Sequence, residues 1–335
     1  DVGATQVAGL EEGGIHHRIF EELGVETPTA TECDPACAVF LPQEKQPIMV
    51  WRNQEKWREE RERQFPHSER FWQLMKIMFD ASWDFQSRDP ILPPRNLWDL
   101  GQLLQAVSLN TFLTAPFTLM TVGDVLRLLG LAEDRRLKTF LDMQLNLYSQ
   151  VNAEETAFLY AATALSVSQA PQGLYHLQGS MQVLCDRIVA GLEKYEGKLL
   201  MRQKVEKIHT ERGKAIGVTV KNLKTGEITQ EKADYVVANL TVNNLSAMTE
   251  NIPMGYQQRV KKLPPASGAI VIYLGVDMSA IPPNCPPHLQ FLYDYDQDIS
   301  EINSLFVSVS KQGDGRAPEG KATIIASSFT DVNLW

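Results

Sequence analysis

Residues 173–184 read GLYHLQGSMQVL, and the division of the chain turns on them. Tyr175 to Leu177 form a short aromatic strand, a tight turn follows at Gly179-Ser180, and a helix opens near Met181. Gly179 can take a positive φ and lets a ligand come close to the backbone. Ser180 can cap the helix, leaving free backbone N–H groups at its start for an electron-rich ligand. The same residues also suit a plain capped turn with Met181 and Leu184 packed inside. No G-x-G-x-x-G occurs in this stretch or elsewhere in the 335 residues.

The composition, 44% hydrophobic and 22% charged, is that of a folded protein long enough for two interleaved domains. The formal charge is −9, from 32 Lys and Arg against 41 Asp and Glu, with no basic stripe. That balance counts against a nucleic-acid partner. Cys33 and Cys37 stand as C-x-x-x-C, which fits neither a zinc knuckle nor a redox pair. A local disulfide there is one reading. Scattered thiols in a reducing, cytoplasmic compartment is the other. No segment is long and apolar enough to span a bilayer. Nothing has the spacing of a metal cluster, a Ser-His-Asp set or a P-loop, so no metal is expected. His176 is read as a packing histidine of an aromatic strand.

Outward from the turn, the pattern changes at residue 170. Before it, GGIHHRIFEELG is a helix stopped by Gly24, and CAVFLP with PIMVW is a hairpin. Residues 54–169 are helical in period, broken at PILPP and at Pro116, with a last helix from Glu154 capped by Asn152. After it, KVEKIHTE, KAIGVTVKN and EITQE alternate as short antiparallel strands. DYVVANL reads as a strand buried on both faces. AIVIYLGV, LQFLYDY, SLFVSVS and ATIIASSF then give a second sheet. The fold class is α/β (α+β), with two domains whose segments alternate along the chain.

In this order, the block from Tyr175 to Asn239 resembles the second half of an FAD-binding domain of the phytoene-desaturase-like family of carotenoid flavoproteins. Four features carry the resemblance. They are the turn Tyr175 to Met181, the V-x-x-I strand Val205 to Ile208, Gly217-Val218, and the A-D-x-V-V-x-N run Ala233 to Asn239. DVGATQ at the start is similar to the family's F-D-x-G-x-T segment. The HLQGSMQ form of the turn is closest to the carotenoid 3′,4′-desaturases, including γ-carotene desaturase. The family's G-x-G-x-x-G unit and its C-terminal G-D flavin segment have no counterpart, so the chain reads as truncated at both ends. The resemblance implies a partial FAD/NAD(P)-binding, Rossmann-like domain at 1–37 and 170–248. A substrate domain would comprise a mixed sheet at 38–53 and 249–335 and a helical block at 54–169.

The resemblance also implies the site. Gly3, Ala4 and Thr5 would lie beside the isoalloxazine ring of FAD, with Gly179, Ser180 and Met181 near it. Val205 would meet the adenine through its backbone, and Asn239 would end a strand at the cofactor crevice. The turn and the buried valine strand after it would be two walls of that crevice. No catalytic residue is identified. The implied activity is desaturation at the ψ-end of a carotenoid. A cis–trans isomerase or ketolase of the same fold is the alternative, and a non-catalytic lipophile-binding or scaffold protein is the rival from another class. Without its first unit the chain would bind FAD weakly and be inactive, and oligomers could arise from unpaired sheet edges.

One feature of the helical block stands apart from the resemblance. Leu100 to Gly123 holds no charged residue, and its Gln, Ser and Thr recur at three- or four-residue spacing between Leu, Val and Phe. The segment is either a core helical pair or a lipid-facing one. A polyene of roughly forty carbons would cost on the order of tens of kcal/mol to expose to water. Such a substrate implies transfer from a bilayer, hence peripheral membrane contact.

Overall fold

The computed structural model describes residues 6–263 and 268–332. β1 (Gln6–Val7) leads to α1 (Ile15–Leu23), which stops at Gly24 in the left-handed region with its N–H bonded back into the last turn. β2 (Ala30–Glu32) follows, and then the expected hairpin, β3 (Cys37–Phe40) against β4 (Ile48–Val50). The helical block is α2 (Gln54–Gln64), α3 (Glu69–Gln86), α4 (Leu97–Ala106), α5 (Leu109–Thr114), α6 (Val122–Leu128), α7 (Arg135–Ser149) and α8 (Phe158–Ser166). Side-chain caps from Asn53, Asn96, Thr121 and Asp134 fix the starts of α2, α4, α6 and α7. Pro116 ends α5 in a single 3-10 turn, as the break in the sequence requires.

Beyond the block come β5 (Tyr175–Leu177), α9 (Gln182–Lys194), β6 (Gln203–Glu211), β7 (Lys214–Asn222), β8 (Ile228–Lys232), α10 (Val242–Met248) and α11 (Met254–Val260). The last third is β9 (Gly268–Asp277), β10 (His288–Leu292), β11 (Ser304–Val309) and β12 (Lys321–Thr330). The class is the mixed α/β one read from the sequence.

The chain divides into two compact units, one from residues up to 191 with those from 268 on, the other from 192–263. In the first unit a six-stranded sheet runs β4-β3-β10-β11-β12-β9, parallel only between β3 and β10. A small antiparallel sheet, β1-β5-β2, sits beside α1 and the start of α9 around Phe20, Leu177 and Leu184. The main core packs α2, α3, α7 and α8 on β3 and β4 through Trp57, Phe65, Trp72, Phe140 and Phe158. The second unit is the antiparallel meander β6-β7-β8 with α10 and α11.

Two expectations are corrected, and one of two open alternatives is removed. α8 begins at Phe158, not Glu154. The carbonyls of Ala153 and Thr156 accept from the N–H groups of Gly123 and Val122, so this segment caps α6 instead of coiling. Residues 233–240 form no strand, and Tyr235 and Val237 are 88% and 95% exposed. A strand buried on both faces needs a hydrogen-bonded neighbour on each side, and the meander ends at β8 with none beside this run. The uncharged segment is not a core pair. Leu104, Leu109, Phe112 and Leu119 all stand exposed.

Candidate functional site

β5 delivers the chain to the turn that opened the sequence. Gly179 has φ +90°, and a Cβ there would lie 2.8 Å from Val183 Cγ2. Ser180 Oγ accepts from the Gln182 N–H at 3.1 Å, and Val183 N bonds to Ser180 O, so Ser180 caps α9. Leu184 is buried and Met181 packs partly on the same core. The N–H groups of Ser180 and Met181 have no hydrogen-bond partner among the described residues. They are the orphan donors that a helix start offers.

A loop between β11 and β12 lies across the turn. Asp314 O accepts from Gly179 N at 2.5 Å, and Gly313 O accepts from Gln178 Nε2 at 2.8 Å. Gly315, at φ +78°, brings its missing Cβ to 3.5 Å from Gly179 Cα, so two bare backbones face each other. A cavity of about 620 Å³ opens here, lined by Gly179, Ser180, Tyr273, Gly275, Gly315 and Arg316 among others.

Beneath the loop the site is polar and buried. His176 Nε2 lies 2.8 Å from Asp314 Oδ2, and both residues are nearly inaccessible. Burial holds the His176 pKa below its ordinary value, against the opposing hydrogen bond from Asp314. The ring is therefore neutral near pH 7. Nε2–H donates to the carboxylate, which leaves Nδ1 as a buried acceptor without a partner. The Asp314 carboxylate also accepts from the N–H groups of Lys311 (2.7 Å) and Arg316 (3.0 Å), with Arg316 Nε at 3.7 Å. This set locks the loop on the turn, so His176 and Asp314 act as positioning residues.

The candidate residues divide between the two units. Gly179, Ser180 and Met181 are brought together in the first. Val205 lies on β6 of the second, 36% exposed, opposite Val220. It lines a cavity of about 540 Å³ with Leu240 and Met248, and Asn239 stands next to Leu240 in the exposed irregular run. Gly3, Ala4 and Thr5 lie outside the described residues. Sequence reasoning missed Asp314, Gly315 and Arg316, although the glycine-flanked acid in GDGR was a turn signal.

All four cysteines are free, and burial pushes the Cys33 thiol up to about 11 and the Cys37 thiol up to about 12, so neither is a nucleophile at neutral pH. Among the described residues no group of His, Cys, Asp or Glu could hold a metal. What the turn can do is bind. Two free donors and two facing glycines suit the acceptor-bearing edge of a flat heteroaromatic ring.

Comparison with known proteins follows the same line. Residues 3–334 match the family described as flavin containing amine oxidoreductase. Prolycopene isomerase 2, chloroplastic, of an Oncidium hybrid cultivar is 24% identical over 351 residues, covering 100% of this chain and 57% of the relative. The chloroplastic prolycopene isomerase of Daucus carota is 22% identical, with 100% and 54% covered. The chain thus spans a little over half the length of these curated relatives. Among solved structures, a Pyrococcus furiosus protein superposes with TM-score 0.60 at 13% identity, covering 99% of this chain and 68% of that one. An oxidoreductase from Methanosarcina mazei does so at 0.55 and 16%, with the same coverage.

Proposed function

We infer the function from one premise: this chain belongs to the flavin-containing amine oxidoreductase family. The full protein is read as an FAD-dependent oxidoreductase of carotenoids that desaturates a C–C bond at the ψ-end of a γ-carotene-like substrate. The observation that carries the reading is the pair of unpartnered N–H groups at Ser180 and Met181 beside the facing Gly179 and Gly315.

In this reading Ser180 and Met181 would hold the ring's polar edge, and the bare backbone at Gly179 and Gly315 would leave room for it at the turn. Neutral His176 keeps its proton at Nε2 on Asp314 and holds the loop in register over the turn. FAD when bound supplies the hydride acceptor, so the protein has to supply geometry more than a strong acid or base. Val205 and Asn239 are proposed for the adenine side. The exposed, uncharged face of α4 and α5 supports a lipophilic substrate drawn from a bilayer. No helix among the described residues is long and apolar enough to cross a membrane, and contact there is peripheral in this reading.

A second reading, redox-neutral cis–trans isomerisation, is favoured by the names of the relatives. Incubating the full-length, FAD-reconstituted protein with γ-carotene separates the two. Desaturation lengthens the conjugation, shifts absorption to the red and removes two hydrogens from the mass. Isomerisation leaves the mass unchanged. A protein that takes up no flavin and turns over neither saturated nor cis polyenes would be a lipophile-binding protein instead.

A further inference from the structure

A second cavity, of about 610 Å³, lies in the first unit between α2, α3 and residues 165–172, and shares no lining residue with the one at the turn. Its long wall is one stripe of α3. Trp72, Met75, Phe79, Trp83 and Ser87 recur at three- or four-residue spacing. From Trp72 to Ser87 that stripe is about 22 Å long at 1.5 Å per residue. Trp57 and Phe140 line one end, both edge to face against Trp72.

At that end lies Arg61. Its guanidinium sits over the Trp57 and Trp72 rings, 5.6 and 5.3 Å from their centroids, and its Nε is buried without a hydrogen-bond partner. Among the described residues it makes no ion pair. The other cations on the lining are neutralised on the spot: Arg58 by Glu55 and Glu62, Lys76 by Asp80. Asp84 is matched by Arg88. Glu69 and Glu62 act on Arg61 only through space, so its guanidinium keeps unused donors at one end of the trough. An unpaired, half-buried guanidinium is costly unless something supplies an acceptor. Its other end is tied by the Ser108 Oγ to Asp84 bond (2.9 Å) to the start of α5, where Leu109 and Phe112 are exposed.

We propose that this cavity is a second ligand site, and that it takes a long-chain monocarboxylate. The carboxylate accepts from Arg61, and the chain runs along α3 to Trp83. The carboxylate supplies the acceptor that the buried Nε of Arg61 lacks. The acids on the lining disfavour a dianion, and the indole and phenyl walls take the alkyl chain.

Calorimetry with palmitate and with palmityl alcohol, each delivered from cyclodextrin, tests it on the unmodified chain without flavin or carotenoid. Palmitate is expected to bind, and the alcohol at least about tenfold more weakly, because it lacks the charge-assisted bond. Arg61→Gln should reduce palmitate to the level of the alcohol and leave the alcohol unchanged. Palmitate brominated at its terminal carbon should quench Trp fluorescence, and Trp83→Phe should remove most of that quenching. Equal binding of acid and alcohol, unchanged palmitate affinity in Arg61→Gln, or no binding at all would overturn the assignment. If Arg61→Gln does not fold by circular dichroism, the acid–alcohol comparison and the quenching at Trp83 decide alone.

Discussion

Arg52 fills the space that a side chain at position 173 would need. Gly173 has φ +72°, and a Cβ built on it would lie 1.3 Å from Arg52 Nη1. The guanidinium is held there by Glu32 Oε1 (2.8 Å), the Gln172 carbonyl (2.9 Å) and the Tyr175 ring (4.9 Å). The first glycine of GLYHLQGSMQVL therefore seats an arginine that joins β2 to β5, just before the Gly179-Ser180 turn. Gly173→Ala adds left-handed strain of roughly 1 kcal/mol and displaces a charge-assisted network worth about 1.5–3 kcal/mol. The expected loss is about 3 kcal/mol by urea unfolding. In an Arg52→Ala background the slot is empty, so the same change should cost only the strain, about 1 kcal/mol. Equal losses in both backgrounds would mean that Arg52 is not what excludes the methyl.

α4 and α5 present the largest contrast between what periodicity tells and what it leaves open. Spacing placed Leu, Val and Phe on shared faces, and both helices form. Periodicity cannot say whether an apolar face meets protein or solvent, because both give the same pattern. Here Leu109 is 87% and Phe112 66% exposed, in a stretch without a single charge from Leu100 to Gly123. The meander and the four late strands were legible for the opposite reason: alternation with one solvated face is a period-two signal. Residues 233–240 misled, since a valine run fits a buried strand only where neighbours exist to pair with it. The turn could be read from Gly179 and Ser180 alone, but Asp314, 138 positions from His176, joins it only through the order of the late strands. An uncharged patch binds lipid through apolar area and not through anionic headgroups. The chain is thus expected to float with neutral phosphatidylcholine vesicles, unaffected by 0.5 M salt (roughly a 4 Å screening length). Leu109→Glu with Phe112→Glu should cut the bound fraction more than about tenfold, since each side chain contributes roughly 1.5–3 kcal/mol when buried. Flotation that needs anionic lipid, or that survives the double change, would place the contact elsewhere.

Across the whole molecule, the buried imidazoles of the first unit make stability depend on pH in a defined direction. His288 is fully buried, its Nδ1 3.0 Å from the Ala36 carbonyl and its ring stacked on Phe306, and burial pushes its pKa down to about 3. His176 is also held below its ordinary 6.5, chiefly by burial and despite Asp314. The unfolded chain therefore takes up protons on both residues as pH falls through about 6.5, while the folded chain does not until lower pH. Their contribution is complete above pH 6.5 and is lost as the solution is acidified, by up to about 1.4 kcal/mol per pH unit for each ring. Exposed carboxylates stay ionised down to about pH 5, so the interval from 6.5 to 5 isolates the histidines. His288→Asn keeps a donor for the Ala36 carbonyl but cannot be protonated, and should lower the slope of urea midpoint against pH in that interval by the share that His288 contributes. Protonation would turn the His176–Asp314 bond into an ion pair, so acidification destabilises the fold through the cost of burying a charged ring while that contact persists. A midpoint that stays flat from pH 7 to 5 would mean that both rings take up protons in the folded chain as readily as in the unfolded one, and that burial does not hold them neutral.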